Sequence, residues 1–542
     1  MMTYQRLFLL VLILGTFAWR VTGLTYQSLW RDEVDAIYFA LRDLPDTLAM
    51  FVDMAQNGAL YFLSLRGWFY LAGASEFALR YVSVMASMVS IPLTWQVARR
   101  LLGNTSRAST VGQSIIPLLA VLFLAFNPYQ LWYAQEGKMY TLVIALTLFA
   151  HWCWLTGITQ GGKRIWLAYL ITVSICLYIH LLSIIIIPLH FCWFMIAWPQ
   201  SRWHWRGYGF ALAGLTLPYL PFVWWQWAML TSTEKLTGFN FTPLSEMLYT
   251  LLINHSYGLL PVPPLFRLLP IFFLGAVGLL FGAGALAAVR LPSQPKASPE
   301  PDMAELAVRS SAPPELAPWR RYLLIVSWLL VPIATIYVLS LRQPVYTDRY
   351  IIWIAPAAMI LLALGVQTLY QQGGRLALPL VAILLIYTLG LWGQMGWQQK
   401  NQTIKYDLRS AIHYVAERRQ PETLLVLQIP HIEFSYRYYS DNEGNAAANV
   451  YATSDARIGN WRGGLWTNNG LADEQAIVLV EQEMAQITQG VQELWVLSSE
   501  VEMWDARHLM NAWLDSHGRL VEMAEFHGVH ARRYVLEARS QP

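Results

Sequence analysis

The sequence has 542 residues, of which 56% are hydrophobic and 13% charged, with a net charge of +3. A soluble globular chain carries about a quarter charged residues, and here apolar runs of about 20 residues recur, which describes a polytopic α-helical membrane protein. So small a net charge gives no electrostatic footprint for a nucleic-acid partner.

Apolar run length predicts about eleven spans. Their limits fall near 7–25, 79–101, 113–130, 139–157, 166–180, 181–198, 209–228, 265–289, 320–341, 349–370 and 376–393. The first run lacks a small-residue cleavage site and reads as a retained helix, not a signal peptide. Cys153, Cys176 and Cys192 all lie in apolar runs and read as buried small hydrophobes, neither a disulfide framework nor a zinc site. Basic residues fix the orientation. Arg99, Arg100 and Arg107 share one loop, and Lys163, Arg164, Arg202, Arg206, Arg290, Lys296, Arg309, Arg320, Arg321 and Arg375 occupy successive alternate loops. The positive-inside rule makes that face cytoplasmic and puts residues 24–78 and everything after residue 393 outside.

The long first external loop, 24–78, opens on Leu29-Trp30-Arg31-Asp32-Glu33-Val34-Asp35. Adjacent carboxylates at the mouth of a span can divide labour, one taking a proton while the other orients a partner or holds a cation. The alternative is a solvated loop with ordinary surface charges. Two amphipathic patches follow, 34–42 and 59–71, read as helices along the outer membrane surface. The run 165–198 suits two shortened spans with a turn near His180, which is either a functional intramembrane histidine or one that hydrogen-bonds within the turn. Residues 291–318 read as a flexible cytoplasmic linker. From 394 to 542 the charge rises and the runs shorten, as in a small extracytoplasmic α/β domain. Its helix is expected over 405–419, its buried strands over 423–429 and 494–498, and a later helix over 506–516. Its aromatics at 436–439 and 461–466 could offer stacking surfaces to an acceptor.

On this topology, polar residues gather on the outer face in four places: Arg31-Asp32-Glu33, the turn 127–140, Tyr178-Ile179-His180, and the segment 343–350. Carboxylates with Lys138 and Arg349 around one recess suit a substrate whose leaving group is anionic. Snorkelling at the interface is the alternative for either cation.

The order of these pieces resembles the GT-C superfamily of membrane glycosyltransferases, in particular the bacterial family-39-like branch with protein O-mannosyltransferases and the lipid A aminoarabinose transferase. Four elements carry the resemblance over roughly residues 1–400. They are Trp30-x-Asp32-Glu33; Leu60-Tyr61-Phe62 with Ser75-Glu76-Phe77-Ala78-Leu79-Arg80; Tyr133-Ala134-Gln135-Glu136-Gly137-Lys138-Met139-Tyr140; and Asp348-Arg349-Tyr350 before a span containing Pro356. Two departures stand out. Gly58-Ala59 replaces the Pro-Pro common in relatives, and Lys138 replaces an Arg, keeping charge but losing the two-pronged fork.

The resemblance implies a GT-C-like transmembrane domain over 1–393 and an enzyme that moves a sugar from a polyprenyl-phosphate donor to an extracytoplasmic protein, lipid or glycan acceptor, with inversion. It implies Asp32 as general base with Glu33 supporting, Lys138, Arg349 and His180 at the donor phosphate, and Tyr61, Gln135, Glu136, Tyr140 and Tyr350 lining the substrate site. No cofactor is required on this reading, although the Asp-Glu element is capable of holding a divalent cation. The plasma (inner) membrane is the expected location. A transporter or flippase of lipid-linked sugars, or a non-catalytic envelope assembly protein, is the alternative.

Overall fold

The computed structural model describes residues 2–53, 56–102, 115–227, 231–232, 240–260, 316–372, 377–429, 432–440, 458–461 and 471–537, with isolated positions between 274 and 282. Apart from those positions, the span expected at 265–289 lies outside the described residues. So does the linker expected at 291–318, except for its last three residues. The chain forms two compact units. One comprises Met1–Thr22, Leu48–Tyr61 and Arg80–Gln398, and the other Gly23–Thr47, Phe62–Leu79 and Gln399–Pro542.

The helices begin with α1 (Met2–Val21), α2 (Arg31–Leu41), α3 (Leu44–Ala49), α4 (Ala59–Ala72), α5 (Glu76–Leu102), α6 (Ile116–Phe126) and α7 (Pro128–Ala134). Next come α8 (Tyr140–Gln160), α9 (Lys163–Ile179), α10 (Ile186–Ile196), α11 (Trp198–Ser201), α12 (Trp205–Trp225) and α13 (Leu244–Tyr257). They continue with α14 (Pro318–Ser340), α15 (Ala355–Gln372), α16 (Ala377–Asn401), α17 (Leu408–Arg418) and α18 (Ile432–Ser440). The last are α19 (Asp473–Ile487), α20 (Val501–Trp504) and α21 (Leu509–His517).

The first unit is a helical membrane bundle. Among the described residues six helices are long and apolar enough to cross a membrane, or up to eight if each of two bent pairs is one span. The expected span 113–130 is one such pair, α6 and α7, bent by 59°. The cause is local. Pro128 has no N–H to continue α6, and Asn127 caps α7 by accepting a hydrogen bond from the Gln130 amide at 3.2 Å. The spans expected at 181–198 and 209–228 form the other pair, bent by 87°. Large apolar side chains stay exposed, among them Leu10 and Leu14 on α1, Leu217 and Leu220 on α12, and Ile383 and Ile386 on α16. Such surfaces suit lipid, not water.

The second unit holds a five-stranded sheet of order β2-β1-β3-β5-β4: β1 (Leu424–Leu427), β2 (Ile458–Asn460), β3 (Glu493–Ser499), β4 (Gly518–Phe526) and β5 (Val529–Leu536). β1 runs parallel to β2 and β3, and β5 pairs antiparallel with β3 and β4. Val426, Leu494 and Val496 meet Val480 and Met484 of α19 and Trp513 and Leu514 of α21 in its core. The α/β layering follows from the fully buried runs of β1 and β3.

The patches expected as surface helices of the first loop are α2 and α4. All of α2 and most of α4 cluster with the C-terminal chain. The reason is a seam of hydrogen bonds. Gln27 donates from Nε2 to the Gln399 and Gln402 carbonyls at 2.9 and 2.7 Å, and its Oε1 accepts from the amides of Ile404 and Lys405. Arg409 donates to both carboxylate oxygens of Glu76 at 2.7 and 2.6 Å, and to the carbonyls of Thr25 and Gln27.

Candidate active site

In the bundle, three segments far apart in sequence converge. α9 ends at His180, whose extended backbone (φ −155°, ψ 120°) starts a 3₁₀ turn, Leu181–Ile185. The turn is fixed from outside, since the Leu181 amide donates to Oδ1 of Asn57 at 3.0 Å. Tyr140 opens α8, and Arg349 and Tyr350 lie in the 3₁₀ segment Asp348–Ile354. The His180 ring sits edge-on to Tyr350 at 4.8 Å and to Tyr140 at 6.3 Å. Tyr140 and Tyr350 are 6.5 Å apart, and Arg349 Cζ lies 5.8 Å from the Tyr140 ring centre. A half-buried guanidinium, two tyrosine rings and a buried imidazole thus form one cluster. Both His180 ring nitrogens are buried with no hydrogen-bond partner among the described residues, while its carbonyl accepts from the Ser183 amide at 3.0 Å within the turn.

Asp348, one residue before Arg349, is heavily held. Its Oδ2 accepts from Tyr129 Oη and Asn254 Nδ2, each at 2.7 Å, and its Oδ1 accepts from Thr347 Oγ1 at 3.2 Å. These bonds pin the start of the segment that carries Arg349. Sequence reading did not single out Tyr129 or Asn254 as partners. The detectable signal is the polar Asn254-His255-Ser256 directly after the apolar Leu251-Leu252-Ile253 of α13.

The remaining residues of the turn divide. Gln135 donates from Nε2 to the carbonyls of Arg20 and Thr22 at 2.9 and 3.1 Å, tying the turn to the end of α1. Glu136 is buried and accepts from Trp132 Nε1 at 2.9 Å. Lys138 is half-buried, and its carbonyl accepts from Ser83 Oγ at 3.1 Å. Tyr61 is buried in the same unit.

The Asp32-Glu33 element belongs to the second unit and is not a loop. Both carboxylates occupy the first turn of α2, where the helix dipole favours negative charge. Glu33 is fully buried, and its Oε2 accepts from Lys405 Nζ at 3.3 Å and from the Trp30 amide at 3.4 Å. Asp32 keeps 21% side-chain exposure, with Arg31 Nε 3.8 Å from its Oδ1. The two carboxylates therefore differ in kind: Glu33 is buried at the helix start, and Asp32 is partly exposed. Nearby, Tyr439 donates to Glu76 and accepts from the Leu29 amide at 2.7 Å. Burial, then the Glu76 charge, pushes its hydroxyl pKa well up and keeps it a donor.

Tyr436, Tyr438, Tyr439 and Trp461 are buried, so they serve as core rather than as the stacking surfaces expected of them, and 462–466 lie outside the described residues. Their interior packing satisfies the apolar demand of α18 and the sheet. No group of three or more His, Cys, Asp or Glu among the described residues is placed to hold a metal ion.

No protein-family model and no curated protein sequence matches the chain. Among solved structures, it matches ArnT from Cupriavidus metallidurans in the apo state over 97% of each chain, with a TM-score of 0.54 at 11% identity. ArnT from the same organism bound to undecaprenyl phosphate matches over 97% of each chain, with a TM-score of 0.49 at 12% identity. The archaeal oligosaccharyltransferase AglB from Archaeoglobus fulgidus matches over 99% of this chain and 75% of that one, with a TM-score of 0.48 at 11% identity. At such identities the likeness to apo ArnT shows a shared fold and no more.

Proposed function

We propose that this chain, a multi-pass membrane protein with the GT-C fold, is a glycosyltransferase that moves a sugar from a polyprenyl-phosphate donor to an extracytoplasmic acceptor hydroxyl. The observation that carries this reading is the cluster of Arg349, His180, Tyr140 and Tyr350, assembled from three separate segments of the bundle. A guanidinium among aromatic rings near a membrane interface matches a lipid phosphate in charge and shape, and the rings offer stacking faces to a sugar. In the inner membrane, with the cluster on the extracytoplasmic side, the donor's headgroup reaches it at the lipid interface.

In the reaction, the acceptor oxygen attacks the anomeric carbon from the face opposite the phosphate, and the configuration inverts. The C1–O bond breaks, and its electron pair leaves with the polyprenyl phosphate. The acceptor proton passes to the Asp32 carboxylate, the more exposed of the two acids. Arg349, aided by Lys138, meets the phosphate charge that grows as the bond breaks, an interaction stronger in the transition state than in the ground state. Glu33 holds the helix start that presents Asp32. Activity in the presence of chelator is the expected result, since the fixed cations supply the charge that a metal would otherwise supply.

The test uses the purified full chain with a panel of polyprenyl-phosphate sugars, following loss of donor and release of polyprenyl phosphate. Turnover of at least one donor, lost in Asp32→Asn, is expected. Transbilayer movement of an intact donor in vesicles, without cleavage of any donor in the panel, would establish the flippase instead.

A further inference from the structure

Helix α8 starts at the Tyr140 cluster and ends, about 30 Å away, at a different feature. There a cavity of about 380 Å³ opens among the ends of α5, α8, α11 and α14, a volume typical of small-ligand sites. Arg99, Arg100 and Arg321 line it, and no Asp or Glu is among its described lining residues. Leu101, Leu155, Ile158 and Leu324 give the wall an apolar side, and Gln96, Thr159, Gln160 and Gln200 add neutral polar groups. Hydrogen bonds position two of the guanidiniums. Arg100 donates from Nε to Thr156 Oγ1 at 3.1 Å and from Nη1 to Gln96 Oε1 at 2.9 Å, and Arg321 Nη1 donates to the Leu102 carbonyl at 2.6 Å. Arg99 lies over the Trp95 ring at 4.6 Å and donates no hydrogen bond to any described residue.

Arg99 and Arg100 are like charges on one cavity wall and repel each other, and an anion beside them turns that repulsion into attraction. The leucine and isoleucine side of the wall favours an anion carrying hydrocarbon. α5, α8 and α14 are all long and apolar enough to span the membrane, so their shared end meets a headgroup layer. It is also the end that the basic-residue pattern assigns to the cytoplasm, whose leaflet attracts basic sites to anionic lipid.

We propose that this cavity binds the phosphate headgroup of an anionic phospholipid, with Arg99, Arg100 and Arg321 around the phosphate and the apolar wall along the upper acyl chain. The inference stands apart from the catalytic reading. It is tested by native mass spectrometry of the full chain, titrated with dioleoylphosphatidylglycerol or dioleoylphosphatidylcholine, with inorganic phosphate as a third arm. Phosphatidylglycerol should bind in preference, and Arg99→Gln should weaken it about fivefold while leaving phosphatidylcholine binding unchanged. Arg99→Gln removes no hydrogen bond to a described residue, so its fold should be intact by melting temperature, and Arg321→Gln provides the second variant. Equal binding of the two lipids, or phosphatidylglycerol binding unchanged in both variants, overturns the proposal. Binding of inorganic phosphate as tight as that of phosphatidylglycerol, with full displacement of the lipid, also overturns it and makes the site one for a soluble anion.

Discussion

His180 is 1% exposed, and neither ring nitrogen has a hydrogen-bond partner among the described residues. A buried polar group left unmatched costs about 1–3 kcal/mol. Side chains that carry such a cost are expected where a ligand later supplies the missing bond, because function then offsets stability. His180→Leu, similar in volume and apolar, should therefore raise the melting temperature of the detergent-purified chain while weakening donor binding. A lower melting temperature with unchanged donor binding would make His180 a packing residue. Arg349 differs, since its place is set by the bonds that Tyr129 and Asn254 make to neighbouring Asp348. Arg349→Ala should lose about 2–4 kcal/mol of transition-state stabilisation, by analogy with a preorganised oxyanion donor, and Arg349→Lys should be intermediate. Turnover and donor affinity measured across the three proteins check this order, and wild-type values in the Ala variant would remove Arg349 from the phosphate.

Helix α2 depends on a buried ion pair. Lys405 Nζ lies 3.3 Å from Glu33 Oε2, and Glu33 is fully buried. Removing one partner of a buried pair leaves an uncompensated charge and costs about 3–5 kcal/mol, whereas replacing both with apolar residues is often close to neutral. Lys405→Met should thus lower the melting temperature sharply, and adding Glu33→Leu should restore much of the loss; equal melting in Lys405→Met and wild type would show that the pair contributes little. The helix itself was legible: the amphipathic patch 34–42 is the body of α2, and 59–71 is α4 almost residue for residue. Strands expected at 423–429 and 494–498 are β1 and β3, because fully buried β-runs announce themselves by composition. The short turns around His180 and 343–350 were legible because interrupted apolar runs leave polar residues at span ends. What the sequence hid is pairing at a distance. Nothing local in Glu33 points to Lys405, 372 positions away, and nothing in Asp348 points to Asn254, because such partners are chosen by packing rather than by periodicity. The bends at Asn127-Pro128 and after α10 also escaped, since run length counts apolar residues and not their direction.

At the scale of the whole chain, the compact units do not follow sequence order, since residues 23–47 and 62–79 cluster with 399–542. Truncation after Met395 would remove Lys405, Arg409 and Tyr439, stripping Glu33 and Glu76 of cations they face. Such a truncation cannot report on acceptor choice alone, because it removes the ion-pair partner of a buried carboxylate in the helix that carries Asp32. Point substitution separates the roles more cleanly. Asp32 belongs to one unit, and Arg349 and His180 to the other. Asp32→Asn keeps the shape of a side chain that is only 21% exposed and removes its capacity to take a proton. Loss of a general base costs about 10²–10⁴ in rate. Donor affinity, set on this reading by Arg349 and its ring neighbours, should stay at the wild-type value in Asp32→Asn. In Arg349→Ala both affinity and turnover should fall. Equilibrium binding of a polyprenyl-phosphate sugar, measured beside single-turnover release of polyprenyl phosphate, reads the two quantities separately. Full turnover in Asp32→Asn would end its role as the base. A loss of donor affinity in Asp32→Asn equal to that in Arg349→Ala would show that Asp32 serves donor binding and not proton transfer alone.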